Sequence, residues 1–224
     1  ETLENGLKTS SKSGFTDIIL NSNTNPVIDS HSSVSHIYKK TDDSATKVHV
    51  LGALTKESMG NNMAELYDMH LAGAVAFGDY KKSLNDSNLM RISLDYVQNF
   101  NGLILSYPSD FNLSKEGLMH EGSVSLNLGI KGIPEIAETS ILSRDLEILE
   151  YTNGRIHFPF ISCEKSLNMI RKAKKNGLKV TCGVSIAHLI FTDDSLFSYN
   201  PNFKLQPPLR SKTDREALRK GLLD

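Results

Sequence analysis

Short β-rich runs alternate with amphipathic helical stretches along this chain, and that alternation constrains its architecture more than any other feature. Six candidate strands are readable: Phe15–Leu20, Val48–Leu54, Ala74–Phe77, Leu103–Ser106, Arg155–Phe160 and Lys179–Val184. Successive strands mostly lie about 30 residues apart, the spacing of parallel βαβ units, whose crossovers need a dozen residues or more. Two architectures build such units. A doubly wound sheet usually carries a Gly-rich phosphate loop after an early strand, and neither GxGxxG nor GxxxxGK[ST] occurs here. The reading therefore favours a (β/α)8 TIM barrel, with about six of the eight strands present in residues 1–224. One barrel domain, incomplete at both ends, accounts for the count and for a chain that opens at Glu1 without Met.

The intervening helices carry recognisable punctuation. Residues 63–72 lead to Gly73. Residues 87–99 place Met90, Leu94 and Val97 on one face, with Asp86 as N-cap and Asn101-Gly102 as the stop. The longest helix is expected from Pro134 to Thr152. Ala137, Ile141, Leu142, Leu146, Ile148 and Leu149 form its apolar stripe, and Asn153-Gly154 ends it. Another helix follows Ser162, burying Leu167, Ile170 and Ala173, with four cations in its last turns and Gly177 as its cap. Residues 107–133 interrupt the rhythm with a long connection containing four glycines, read equally as a functional loop or an ordered surface excursion.

Composition excludes several function classes. With 39% hydrophobic residues and a net charge of −1, the chain is neither disordered nor built for general attraction to nucleic acid or anionic membrane. No apolar run approaches the roughly 20 residues of a membrane span. Two cysteines, Cys163 and Cys182, are too few for a disulfide framework, which makes the cytoplasm the expected compartment. Cys163 sits at a helix start without an evident His partner, and is read as a buried inert thiol. The seven histidines contain no HxH or HExxH pair, and no GxSxG marks a serine hydrolase. Barrel enzymes place their chemistry just past the strand C-termini. Those positions hold Asn23, Gly78-Asp79, Tyr107, Phe160 and His188. Of these, only Asp79 suits a metal centre well.

Several blocks together carry a family resemblance. They include Asn23-Thr24-Asn25-Pro26-Val27-Ile28-Asp29, Gly52-Ala53-Leu54-Thr55-Lys56 and Ala72-Gly73-Ala74-Val75-Ala76-Phe77. Leu128-Gly129-Ile130-Lys131-Gly132-Ile133-Pro134 and Pro207-Pro208-Leu209-Arg210 continue the series in order. With these blocks the chain resembles the dihydroorotases, zinc-dependent cyclic amidohydrolases of pyrimidine biosynthesis. The resemblance implies a metal-dependent hydrolase barrel that interconverts N-carbamoyl-aspartate and dihydroorotate. It implies zinc as cofactor, Asp79 as a metal-bridging position, and Asn23, His188 and Gln206 in substrate contact.

The departures are as informative. The family's HxH pair would precede Glu1, and its catalytic Asp would follow Asp224. Tyr107 and Phe160 stand where the family places metal-binding histidines. Ala187 replaces the first of a histidine pair of which His188 is the second, and Gln206 replaces an Asn. Tyr80 and Lys81 replace acidic and Gly residues. Asp79 has an alternative reading as an ion pair with Lys81 or Lys82, and Asn23 as a loop cap. The expectation is a dihydroorotase homologue with impaired catalysis and zinc absent or weakly bound. The alternative is a non-catalytic module that partners aspartate transcarbamoylase. A homo-oligomer is expected in either case.

Overall fold

Six parallel strands form one sheet: β1 (Asp17–Leu20), β2 (Lys47–Gly52), β3 (Ala76–Phe77), β4 (Ile104–Leu105), β7 (Ile156–Phe158) and β8 (Val180–Cys182). The structure, a computed structural model, describes residues 2–224. Each of the six strands expected from the sequence is present, a little shorter than its apolar run. Ile18 pairs with Val48, Gly52 with Phe77, Ile104 with Ile156, and Phe158 with Cys182. The spatial order β1-β2-β3-β4-β7-β8 follows the chain order without reversal. That is the winding of a barrel wall, whereas a doubly wound sheet reverses at its switch point. The sheet is therefore part of a barrel, as expected.

The helices are α1 (Leu3–Lys12), α2 (His31–Thr41), α3 (Leu66–Leu71), α4 (Ser87–Val97), α5 (Phe111–Ser114), α6 (Ser123–Leu128), α7 (Ile136–Thr152), α8 (Glu164–Lys175), α9 (Ile186–Ile190) and α10 (Lys212–Gly221). The punctuation acts largely as read. Asp86 caps α4 by accepting from the N–H groups of Asn88 and Leu89. Asn101 and Asn153 take the left-handed conformation that ends their helices. The helix expected over 63–72 shortens to α3. The reason is local: Met63 bridges Thr55, and the Ala64 N–H donates to the Leu54 carbonyl, so these residues are extended.

The core lies between the sheet and one layer of helices. Val48 and Val50, Ile156 and Phe158 point from the strands into it, and meet Leu94, Leu142, Leu149 and Ile170. Each fully buried side chain of this kind stabilises the fold by about 1.5–3 kcal/mol. Strand alternation sends His49 and His157 to the other face. There His49 pairs with Asp17 at 2.9 Å, and His157 Nδ1 meets Thr181 Oγ1 at 2.8 Å.

The excursion between β4 and β7 is ordered. It holds a small parallel ladder, β5 (Met119–His120) with β6 (Gly132–Ile133), which the sequence pattern did not reveal. Gly132 permits this pairing because a Cβ there would lie 2.4 Å from Glu121 Cα.

Candidate active site

The loops leaving β3, β4, β7 and β8 gather at one rim of the sheet. Backbone approach there is close: a Cβ on Gly78 would lie 2.7 Å from the Leu105 carbonyl oxygen. The Ser22 hydroxyl donates to the Gly78 carbonyl at 2.6 Å, drawing the loop after β1 onto the rim. Two adjoining cavities of about 460 and 440 Å³ open beside it. Tyr107 and Arg210 line the first, and Phe160 and His188 the second. Lys81, Ile133 and Gln206 belong to both. The excursion contributes to both, so the long connection forms an ordered part of the site wall.

Asp79 is buried, and its carboxylate is already engaged. Oδ1 accepts from the N–H groups of Leu54 (2.9 Å) and Thr55 (3.1 Å), and Oδ2 accepts from the Thr55 hydroxyl (2.5 Å). Burial nonetheless pushes its pKa up, against the lowering effect of those donors. The ion pair with Lys81 or Lys82 that the sequence allowed is not made. Lys82 instead donates to the Ser58 carbonyl at 3.0 Å. Asp79 thus fastens the loop after β2 to the end of β3.

His188 is also buried. Its Nε2 donates to the carbonyls of Pro207 (3.1 Å) and Pro208 (3.2 Å), fixing the Pro-Pro turn. Its Nδ1 is buried without a partner. Asn23 is exposed and lines neither rim cavity. The structure therefore joins Gln206 and His188 at one cavity, and leaves Asp79 and Asn23 apart from them.

A polar network missed in the sequence lies behind the first cavity. The Arg210 guanidinium, 3% exposed, donates to Ser162 Oγ (2.9 Å), His120 Nδ1 (3.1 Å) and the Ile133 carbonyl (2.9 Å). It pairs with Glu138 at 3.8 Å. Glu138, on α7, accepts from the Ser162 N–H at 3.0 Å and from its hydroxyl. Two turns further along α7, buried Asp145 accepts from the Ser106 hydroxyl at 2.6 Å. Helix α7 is thereby stitched to the ends of both β4 and β7. Cys163 Sγ lies 3.5 Å from Glu138, and burial pushes its thiol pKa up, which fits the inert thiol expected.

The donor set can be weighed against zinc. Protein zinc sites use about three or four N, S or O ligands. Here one imidazole nitrogen, His188 Nδ1, is unengaged and buried. Tyr107 offers a phenol whose pKa burial raises, and Phe160 offers no donor. Among the described residues no group of three or more His, Cys, Asp or Glu side chains is placed to hold a metal ion. The residues present do not fit the family's metal.

Burial also lowers the pKa of His120, His157 and His188. The unfolded chain then takes up protons below about pH 6.5 that the folded chain refuses, so each contributes stability above that pH which is lost on acidification. Raised carboxyls such as Asp79 act in the opposite sense, so the effect is read by difference. His157→Gln should gain stability over wild type as the pH is lowered from about 7.5 to 5.5. A pH-independent difference in melting temperature would contradict this.

Comparison with known proteins places this chain in a family. A model of dihydro-orotase-like proteins matches residues 1–166. The dihydroorotase of Pelotomaculum thermopropionicum is 39% identical over 224 residues, covering 100% of this chain and 52% of that protein. That of Syntrophus aciditrophicus is 38% identical over 226 residues, covering 100% of this chain and 53% of that protein. The chain thus spans about half the length of the curated relatives it matches. Among solved structures, L-hydantoinase from Arthrobacter aurescens superposes with a TM-score of 0.78 at 17% identity, over 95% of this chain and 49% of that one. Dihydroorotase from Saccharomyces cerevisiae, in complex with 5-fluoroorotic acid, gives 0.71 at 17%, over 96% and 60%. The structural likeness supports the barrel fold and the sequence likeness the lineage: the chain belongs to the dihydroorotase-like family of amidohydrolases.

Proposed function

We propose that this chain is a dihydroorotase homologue that has lost the family's zinc chemistry and hydrolyses dihydroorotate poorly or not at all. The observation that carries the reading is the rim itself. Tyr107 and Phe160 occupy the positions past β4 and β7 where the resemblance implies imidazoles. A hydrolase of this class needs a cation to lower the pKa of its attacking water. Without it, a cyclic amide meets only weak general acids, such as the Tyr107 phenol. The zinc content of the purified protein, with its turnover of dihydroorotate, tests the reading.

A second reading is an assembly module for aspartate transcarbamoylase. Large exposed apolar side chains on the excursion and the start of α7 favour it: Phe111, Leu126 and Ile136 are each more than half exposed. Exposed apolar surface of this kind marks contact faces when it is contiguous. Co-purification with aspartate transcarbamoylase supports this second reading, and its failure at micromolar concentrations of both proteins counts against it.

A further inference from the structure

His120, on β5, meets Arg210 through a bond that a single proton would break. Arg210 Nη1 lies 3.1 Å from His120 Nδ1. A guanidinium donates and never accepts, so Nδ1 is the acceptor and the one imidazole proton sits on Nε2. An imidazolium carries an N–H on both nitrogens and accepts nothing. At the same 3.1 Å it would set N–H against N–H and cation against cation. Proton uptake by His120 and its bond to Arg210 therefore exclude each other.

Carboxylates from three other elements face the same ring. They are Asp193 after α9, Asp214 on α10 and Glu135 at the start of α7, and each favours the charged imidazole. Burial first, and then Arg210, favour the neutral one. Asp193 is 6% exposed and makes no ion pair among the described residues. Its N–H donates to the Arg210 carbonyl at 3.0 Å, which fixes its backbone to the barrel. Gly122 leaves the way between them open. A Cβ there would lie 3.4 Å from His120 Nε2 and 4.0 Å from Asp193 Oδ2. We propose that His120 is an acid-sensitive latch: on taking up a proton it leaves Arg210 for Asp193, and β5 loosens from the barrel. Arg210 keeps Ser162, the Ile133 carbonyl and Glu138, so β6 stays in place. Gly117 and Leu118, which lead into β5, line the second rim cavity, so the latch sets how firmly that wall is held. It requires neither a metal nor turnover at the rim.

Amide hydrogen exchange on the purified protein, corrected for its intrinsic pH dependence, tests the latch at about pH 7.5 and 5.5. The open latch takes up a proton at the ordinary histidine pKa of about 6.5, and the closed one refuses it. About one unit below that value the open form gains roughly tenfold. The reporters are the N–H groups of Leu118 and Glu121, which donate to the Lys131 and Ile133 carbonyls across the β5–β6 ladder. Their protection should fall about tenfold on acidification, well beyond any change in α4. His120→Asn keeps an acceptor near the Nδ1 position and takes no proton, so its β5 should stay protected at both pH values. Asp193→Asn removes the receiving carboxylate and should lower the pH at which protection is lost. Unchanged protection of β5 in the wild type, or an equal loss in His120→Asn, overturns the latch. A loss shared equally by α4 is global unfolding and also overturns it. Should His120→Asn fail to fold, magnetic resonance titration of the wild type decides. The His120 ring and the Arg210 guanidinium should then shift at one midpoint, and an Arg210 that does not respond overturns the latch.

Discussion

Arg210→Met is expected to lower the unfolding free energy by about 3–5 kcal/mol, because it strips a buried carboxylate of its counter-charge. Arg210 and Glu138 are 3% and 2% exposed, so water screens neither charge well. The substitution also leaves Ser162 Oγ, His120 Nδ1 and the Ile133 carbonyl without their donor. These groups belong to the end of β7, to β5 and to β6, so the damage reaches the whole excursion. Removing both charges should cost less than the sum of the two single changes. Arg210→Met with Glu138→Leu leaves no isolated buried charge, and contacting residues are strongly coupled. Urea unfolding measures both quantities. A single-variant loss below about 1 kcal/mol would show that water or another group already satisfies Glu138.

Asp79→Ala is the second large effect. Two backbone N–H groups and the Thr55 hydroxyl lose their acceptor in a buried corner. Leaving such donors unpaired costs about 1–3 kcal/mol each before relaxation, so a total near 3 kcal/mol is expected. Asp79→Asn should be milder, near 1 kcal/mol, because an amide oxygen still accepts from both backbone groups. Thr55 Oγ1 also accepts from the Gly60 N–H at 2.9 Å, so Thr55→Val should fall between the two. A metal-bridging role gives a different pattern. Asp79→Asn would then leave stability nearly untouched and abolish metal uptake.

The sheet was largely legible because each of its six strands is an apolar run bounded by polar or Gly residues. The ladder of β5 and β6 was not, because Met119–His120 and Gly132–Ile133 lie outside any apolar run of the kind that marks β3 and β4. The rim was legible as a set of positions and not as a set of contacts. Asp79 reads from sequence as an available carboxylate, while its partners lie on the loop after β2, at Leu54 and Thr55. Arg210 reads from sequence as the end of a Pro-Pro-Leu-Arg block with no role of its own, since Glu138 and Ser162 are distant in the chain. One signal was available. Glu138 and Asp145 fall among the apolar positions of α7, and a carboxylate in a buried stripe must find donors from another element. Gln206 and His188 line one cavity because the short helix start and the Pro-rich segment that carry them meet at the rim.

The most direct test of the metal-free account is the zinc content of the purified protein, measured alongside dihydroorotate hydrolysis with and without chelator. The account predicts well below about one zinc ion per chain, after exposure to zinc and buffer exchange, and no chelator-sensitive turnover. About one or more tightly held ions per chain, with hydrolysis that chelation abolishes, would contradict it.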